Sequence, residues 1–188
     1  MLARIALITL AVSFIWQLSL AQTTPGVKSV LDAGRLVYSN EQLGLTVSLP
    51  ANSENVTLSS QVNEKGGRAR VLDAYYKGPQ SKDEFYFALL VDFLKDYPEL
   101  RSPERYLRNL ELMVEKEDFQ PIRQEQAFQV SGARFVRSDF KAVTSEATHF
   151  RSTSCTMRSK YMLCFDVTAP SQTDLDRLLD LSTSLKLE

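Results

Sequence analysis

An α+β fold, built in layers about one central strand, is what this sequence predicts. The strand is Phe85 to Leu94, with Phe85, Phe87, Leu89, Val91 and Phe93 on one side and Tyr86, Ala88, Leu90 and Leu94 on the other. A strand apolar on both sides needs cover on both faces, so helices or a second layer must lie above and below it. Two further observations agree. Phe119 to Val130 with Ala133 to Ala142, and Phe150 to Met157 with Tyr161 to Thr168, read as hairpins. Ser102-Pro103 and Pro170-Ser171 each precede residues at helical spacing.

Taken in order, the chain opens with Arg4 and an apolar run from Ile5 to Leu20 that closes on Ser19-Leu20-Ala21. Small residues at the first and third places before Gln22 are what signal peptidase requires, so residues 1–21 are expected to be a secretory signal cut between Ala21 and Gln22. The rival is a retained anchor, but Thr9, Ser13 and Gln17 interrupt the run, which falls short of the ~20 apolar residues of a membrane span. Losing Arg4, the only charge in the signal, takes the net charge from −1 to −2. That balance argues against nucleic acid as a partner. The expected location is secreted or periplasmic, where an even pair of cysteines is first a disulfide candidate.

Residues 22–34 read as a leader or a short helix, with Thr24-Pro25 as its start, Val27, Val30 and Leu31 on one face and Gly34 as its end. Residues 35–188 read as a single domain. Leu36 to Ser39 and Leu43 to Leu49 are expected strands, the second stopped by Pro50; Asn55 to Val62 and Ala69 to Tyr76 form a hairpin around Lys65-Gly66-Gly67, and Lys77 to Asp83 is a loop. The helix begun at Ser102-Pro103 carries Tyr106, Leu107, Leu110, Met113 and Val114 on one stripe and runs to about Lys116. Ser171 caps a second helix, with Asp174 in its first turn and Leu175, Leu178, Leu179 and Ser182 along its buried stripe. Ser184 to Leu187 alternates as a closing strand.

The cysteines gain meaning from register. An even loop centred between Ser159 and Lys160 sets Cys155 opposite Cys164, in a non-hydrogen-bonded pair with Cα atoms ~4.5 Å apart. That separation suits a disulfide. A three-residue loop would set Cys155 opposite Leu163 and turn the thiols to different faces. Ser-Lys is a poor two-residue turn, which leaves a four-residue loop in the same register as the alternative. The even register also makes Met157 face Met162 beside the cysteines, so the reduced pair with two thioethers would make a soft ligand set for Cu(I). The plainer reading of the methionines is core packing.

No other chemistry stands out. His149 is the only histidine, six residues from Cys155, which is ~20 Å along an extended strand and too far for direct pairing. Arg134, Arg137, Lys141, Arg151, Arg158 and Lys160 give Gly132 to Lys160 a local basic excess. They would form an anion-binding surface if they shared a face, or else serve as exposed strand charges that deter edge-to-edge association. Asn55-Val56-Thr57 is a sequon, meaningful only in a eukaryotic secretory pathway.

With Tyr38, Asn40, Gly44 and Pro50 early in the chain and Tyr161-Met162-Leu163-Cys164-Phe165, Pro170-Ser171, Leu178 and Ser184-Leu185 late in it, the sequence resembles the PsbP-like family. That family includes the extrinsic P subunit of photosystem II, the Mog-type Ran-binding proteins and many exported bacterial proteins of unassigned role. The resemblance covers about Tyr38 to Leu187. It departs from the family pattern after Pro50, where Ala51-Asn52-Ser53 stands in place of a common aromatic. What the resemblance implies is an α/β/α sandwich, a mostly antiparallel sheet with helices on both faces. It further implies a non-enzymatic domain that binds or stabilises an envelope or extracellular protein partner, with no catalytic residue and no cofactor. The alternatives are a copper-binding protein using Cys155, Cys164, Met157 and Met162, or an enzyme of unrecognised type.

Overall fold

The computed structural model describes residues 27–32, 35–50, 53–58, 67–77, 84–95, 97–114, 119–145, 147–180 and 185–187. The proposed signal, its Ala21-Gln22 junction and the loop at 78–83 lie outside them. Strands β1 (Val27–Asp32), β2 (Arg35–Asn40), β3 (Leu45–Pro50) and β11 (Lys186–Leu187) make a four-stranded sheet in the order β1-β2-β3-β11. Strands β4 (Ser53–Leu58), β5 (Gly67–Lys77), β6 (Glu84–Phe93), β7 (Gln120–Val130), β8 (Ala133–Val143), β9 (Thr148–Arg158) and β10 (Tyr161–Ala169) make a seven-stranded sheet in the order β4-β5-β6-β10-β9-β8-β7. Every described strand pair is antiparallel. A short 3-10 helix (Pro98–Leu100) and two α-helices, α1 (Pro103–Val114) and α2 (Gln172–Asp180), complete the described elements.

Strand β6 lies inside the large sheet, between β5 and β10, and its two apolar sets go to two different cores. Leu89, Val91 and Phe93 join Tyr38, Leu45, Val47 and Leu49 of the small sheet, so this core is packed between two sheets. Ala88, Leu90 and the adjoining Leu94 join Tyr106, Leu107 and Leu110 of α1 on the opposite face. Burying Leu107 and Leu110 stabilises α1 on the sheet by about 1.5–3 kcal/mol each.

The expected α/β/α sandwich does not form. Helix α1 lies on one face alone, and the layer on the other face is a sheet, with α2 closing one end of it through Leu175 against Phe85, Val167 and Ala169. The second layer is built by β2, β3 and β11, which pair apart from the large sheet, and by β1, where Val27–Asp32 is a strand in place of the expected leader or short helix. Val27, Val30 and Leu31 satisfy helical spacing, yet β1 pairs with β2 residue by residue from Val27 with Asn40 to Asp32 with Arg35. Pairing with a later segment overrides local spacing.

The turns follow local chemistry. At β2–β3 the Leu43 amide donates to Asn40 Oδ1 at 3.1 Å, the Gly44 amide donates to the Glu41 carbonyl at 3.2 Å, and Gly44 takes φ 58°. At β7–β8, Ser131 and Gly132 have φ of 49° and 79°, the double left-handed geometry of a tight hairpin. Of the two even loops open to β9–β10, the two-residue turn forms: Arg158 pairs with Tyr161 and Ser159 adopts φ 53°.

Candidate binding site

Register places Cys155 opposite Cys164 and Met157 opposite Met162. The two cysteines are joined in a disulfide, with Cα atoms 4.2 Å apart. Both are buried with Met162 under Tyr106, Leu107 and Leu110, so the bond staples the floor on which α1 rests. With the sulfurs bonded to each other no thiolate remains for Cu(I), and among the described residues no cluster of three His, Cys, Asp or Glu side chains is placed to hold a metal. His149 is exposed near the start of β9.

The basic residues are not brought together. Arg134 reaches Glu104 of α1, and Arg151 makes a two-pronged bond to Asp166 at 2.9 and 2.7 Å, both on the α1 side. Arg137 points to the other face, where it grips the fully buried Asp139 at 2.6 and 2.7 Å. Arg123 approaches the same carboxylate at 3.5 Å, and Arg137 lies 3.4 Å from Asp176 of α2. Lys160 lies over the rings of Phe93 and Tyr161, at 5.1 and 5.4 Å.

A site that the sequence reading did not single out lies beside α1. Arg68 and Asp92 are direct cross-strand partners on β5 and β6, and Tyr106 descends between them from the first turns of α1. Arg68 Nε donates to Asp92 Oδ2 at 3.2 Å and Arg68 Nη2 donates to the Tyr106 oxygen at 2.7 Å, while the Tyr106 hydroxyl donates to the same Asp92 Oδ2. Asp92 Oδ1 is buried and has no hydrogen-bond partner among the described residues. Burial, followed by Asp92, raises Tyr106 well above the ordinary phenol range and outweighs the opposing effect of Arg68. Burial also disfavours the Arg68 charge, but Tyr106 and Asp92 overcome it and the guanidinium is held above its usual value. Tyr106 thus keeps its proton and Arg68 its charge near pH 7.

This unit forms the polar wall of a cleft of about 380 Å³ between α1, the 3-10 helix and the β5–β6 end of the sheet. Leu94, Leu100 and Leu110 supply apolar wall, and Tyr97 and Met113, 49% and 55% exposed, stand at the edge. Asp92 was the signal for it: one carboxylate inside the most apolar strand of the chain has to be paired.

No protein-family model matches the sequence, and no curated protein matches it. Solved structures do. The solution structure of cyanobacterial PsbP (CyanoP) from Synechocystis sp. PCC 6803 superposes with a TM-score of 0.56 over 89% of this chain and 96% of that one, at 10% identity. The chain has the PsbP-like fold. LpqN of Mycobacterium tuberculosis, described as involved in cell envelope biogenesis, matches with a TM-score of 0.44 at 10% identity, over 70% of this chain and 82% of its own. The Ran-binding protein Mog1p of Saccharomyces cerevisiae matches with 0.37 at 12% identity, over 86% and 85%. On this PsbP-like fold the cleft sits at the seam between α1 and the sheet, away from the core packed between the two sheets.

Proposed function

We propose that this chain is an exported, non-catalytic binding domain for a protein partner of the envelope or extracellular space, and that the cleft beside α1 is part of its contact face. The observation that carries the reading is the cleft itself. It joins apolar walls to a charge-neutral Arg68–Asp92–Tyr106 unit, with tyrosine and methionine at its mouth. Tyrosine and methionine are residues that interfaces favour. The PsbP-like fold and the buried disulfide support the reading and its oxidising compartment. Among the described residues no helix is long and apolar enough to cross a membrane.

Two measurements test it. Intact mass of the protein recovered after expression in its native host should begin at Gln22, with both thiols blocked to alkylation until reduction; a mass that retains residues 1–21 overturns the export reading. A photo-crosslinking amino acid placed at Tyr97 or Met113 should give one discrete protein adduct in that host. Placed at Val143, an exposed residue at the far end of β8, it should not. Adducts from neither cleft position would overturn the assignment of the contact face.

A further inference from the structure

Strand β7 is one edge of the large sheet, and it is protected along only half its length. The first half carries Pro121, Arg123, Glu125 and two register shifts, the devices that keep an edge from pairing. The second half, Gln126-Ala127-Phe128-Gln129-Val130, carries no charge and no proline and pairs with β8 without a shift. The other edges of the described sheets are shorter: β11 has two residues, β1 carries Lys28 and Asp32, and β4 shifts register between Glu54 and Thr57. Hairpin geometry says which backbone groups of the bare half are unused. Ser131-Gly132 is a two-residue turn, so Val130 and Ala133 flank it as a hydrogen-bonded pair. Alternation then makes Phe128 hydrogen-bonded to β8 and leaves Ala127 and Gln129 in non-hydrogen-bonded positions. The N–H and C=O of Ala127 and Gln129 therefore point away from β8, and both residues are exposed.

A second copy of the chain fits this edge poorly. Centred on Phe128, it could align only the five residues from Gln126 to Val130, because the turn lies beyond one end and the register shifts beyond the other. So short a ladder buries far less than the ~1,000 Å² expected of a specific interface between folded proteins. An extended segment has no such limit, since it can pair with the bare half and run on into a groove of about 670 Å³ between α1 and the protected half. Arg108, Glu111, Ile122 and Glu125 help line that groove, with Ile122 45% exposed. Its charges are already matched: Arg108 lies 3.4 Å from Glu125, Arg123 lies 3.5 Å from Asp139, and Glu111 accepts from Ser138. Such a lining favours an uncharged segment. Going beyond the cleft and resting only on the reading that the partner is a protein, we infer that β7 is a second contact surface, which takes an extended, uncharged segment of that partner as an added antiparallel strand. Ala127 and Gln129 each exchange an N–H and a C=O with it. Its residue opposite Phe128 packs on the Phe128 ring, which is itself stacked 5.5 Å from Phe135.

The test uses the full mature chain and amide-detected NMR. In the free protein the Ala127 and Gln129 amides should exchange with solvent at close to the open-chain rate, while those of Phe128 and Val130 are protected. Protection of Ala127 and Gln129 would mean that the edge is already covered, and would overturn the inference. The probe is a blocked peptide, acetyl-KVTFTVK-amide, whose phenylalanine would sit opposite Phe128. It should shift the Ala127 and Gln129 amides saturably. N-methylation of its two threonines removes the donors that face β7 and should weaken binding roughly tenfold, whereas N-methylation of its phenylalanine, on the outer side, should leave it within about twofold. Ala127→Pro removes an N–H that β8 does not use and should abolish the shift at Gln129 with the fold retained. Equal binding of the two methylated peptides, no saturable shift on β7, or unchanged titration of Ala127→Pro would each overturn the inference. So would a concentration-dependent dimer in sedimentation that Ala127→Pro dissolves, which would assign the edge to a second copy. The two proposals fail separately. Peptide pairing on β7 without a partner adduct from Tyr97 or Met113 sinks only the cleft as contact face, whereas such an adduct with no pairing on β7 sinks this inference alone.

Discussion

Replacing Cys155 and Cys164 by alanine removes the one covalent link across β9 and β10, and its effect can be worked from chain length. The cysteines are 9 residues apart. Closing so short a loop removes about 9 cal/mol/K of entropy from the unfolded chain, or about 2.6 kcal/mol at 25 °C. The loss of two buried sulfurs adds a cavity term of up to about 1 kcal/mol, because both positions are under 2% exposed beneath α1. The double variant should therefore be about 2.5–3.5 kcal/mol less stable in urea unfolding, and reduced wild type, which keeps its sulfurs, about 2.5 kcal/mol less stable. The denaturant slope should barely change, since a short hairpin loop contributes little to the expansion of the unfolded chain. A double variant within about 0.5 kcal/mol of wild type would refute the chain-entropy argument. So would a reduced wild type as stable as the oxidised protein, which would mean that hairpin pairing alone holds the two strands in register.

Other outcomes follow from single contacts. Asp139→Ala should cost about 3–5 kcal/mol in thermal or urea unfolding, because it strands Arg137, whose side chain is 14% exposed, with its main anion gone. Ser159→Gly should stabilise the fold by about 1 kcal/mol by relieving a left-handed backbone that a side chain disfavours. Glu104 is held down to about 2 by the Ser102 hydroxyl, then its own backbone amide and Arg134. A depressed carboxyl contributes stability that is complete above its unfolded value near 4.5 and is lost as pH falls through about 2. Wild type should thus weaken across that window relative to Glu104→Gln, and parallel acid profiles would contradict the assignment. Tyr86 is raised to about 12 by burial and then by its bond to Asp73. Absorbance titration at 295 nm should therefore lose one late-ionising phenol in Tyr86→Phe.

How much of this was legible beforehand differs by element. The central strand was, because a run apolar on both alternate sets has few other places to go, and its two sets do enter two cores. The Cys155–Cys164 register was too, since alternation fixes which residues face each other once the loop is even. The choice between a two- and a four-residue turn was not: Ser159 accepts a positive φ that its side chain disfavours, because nine cross-strand pairs of β9 with β10 outweigh about 1 kcal/mol of local strain.

What the sequence by itself determined is therefore what depends on near neighbours: strand alternation, the caps of α1 and α2, the facing of cysteine with cysteine. Tertiary structure alone decided the rest. Val27–Asp32 became a strand because β2 offered it a full ladder, and only tertiary pairing set β1, β2, β3 and β11 apart as a second sheet. The cleft was decided in the same way. Arg68, Asp92 and Tyr106 lie 24 and 14 residues apart along the chain, and no periodicity links them. Only the β5–β6 register and the seating of α1 bring one arginine, one carboxylate and one phenol to a single point, where burial makes their mutual satisfaction obligatory.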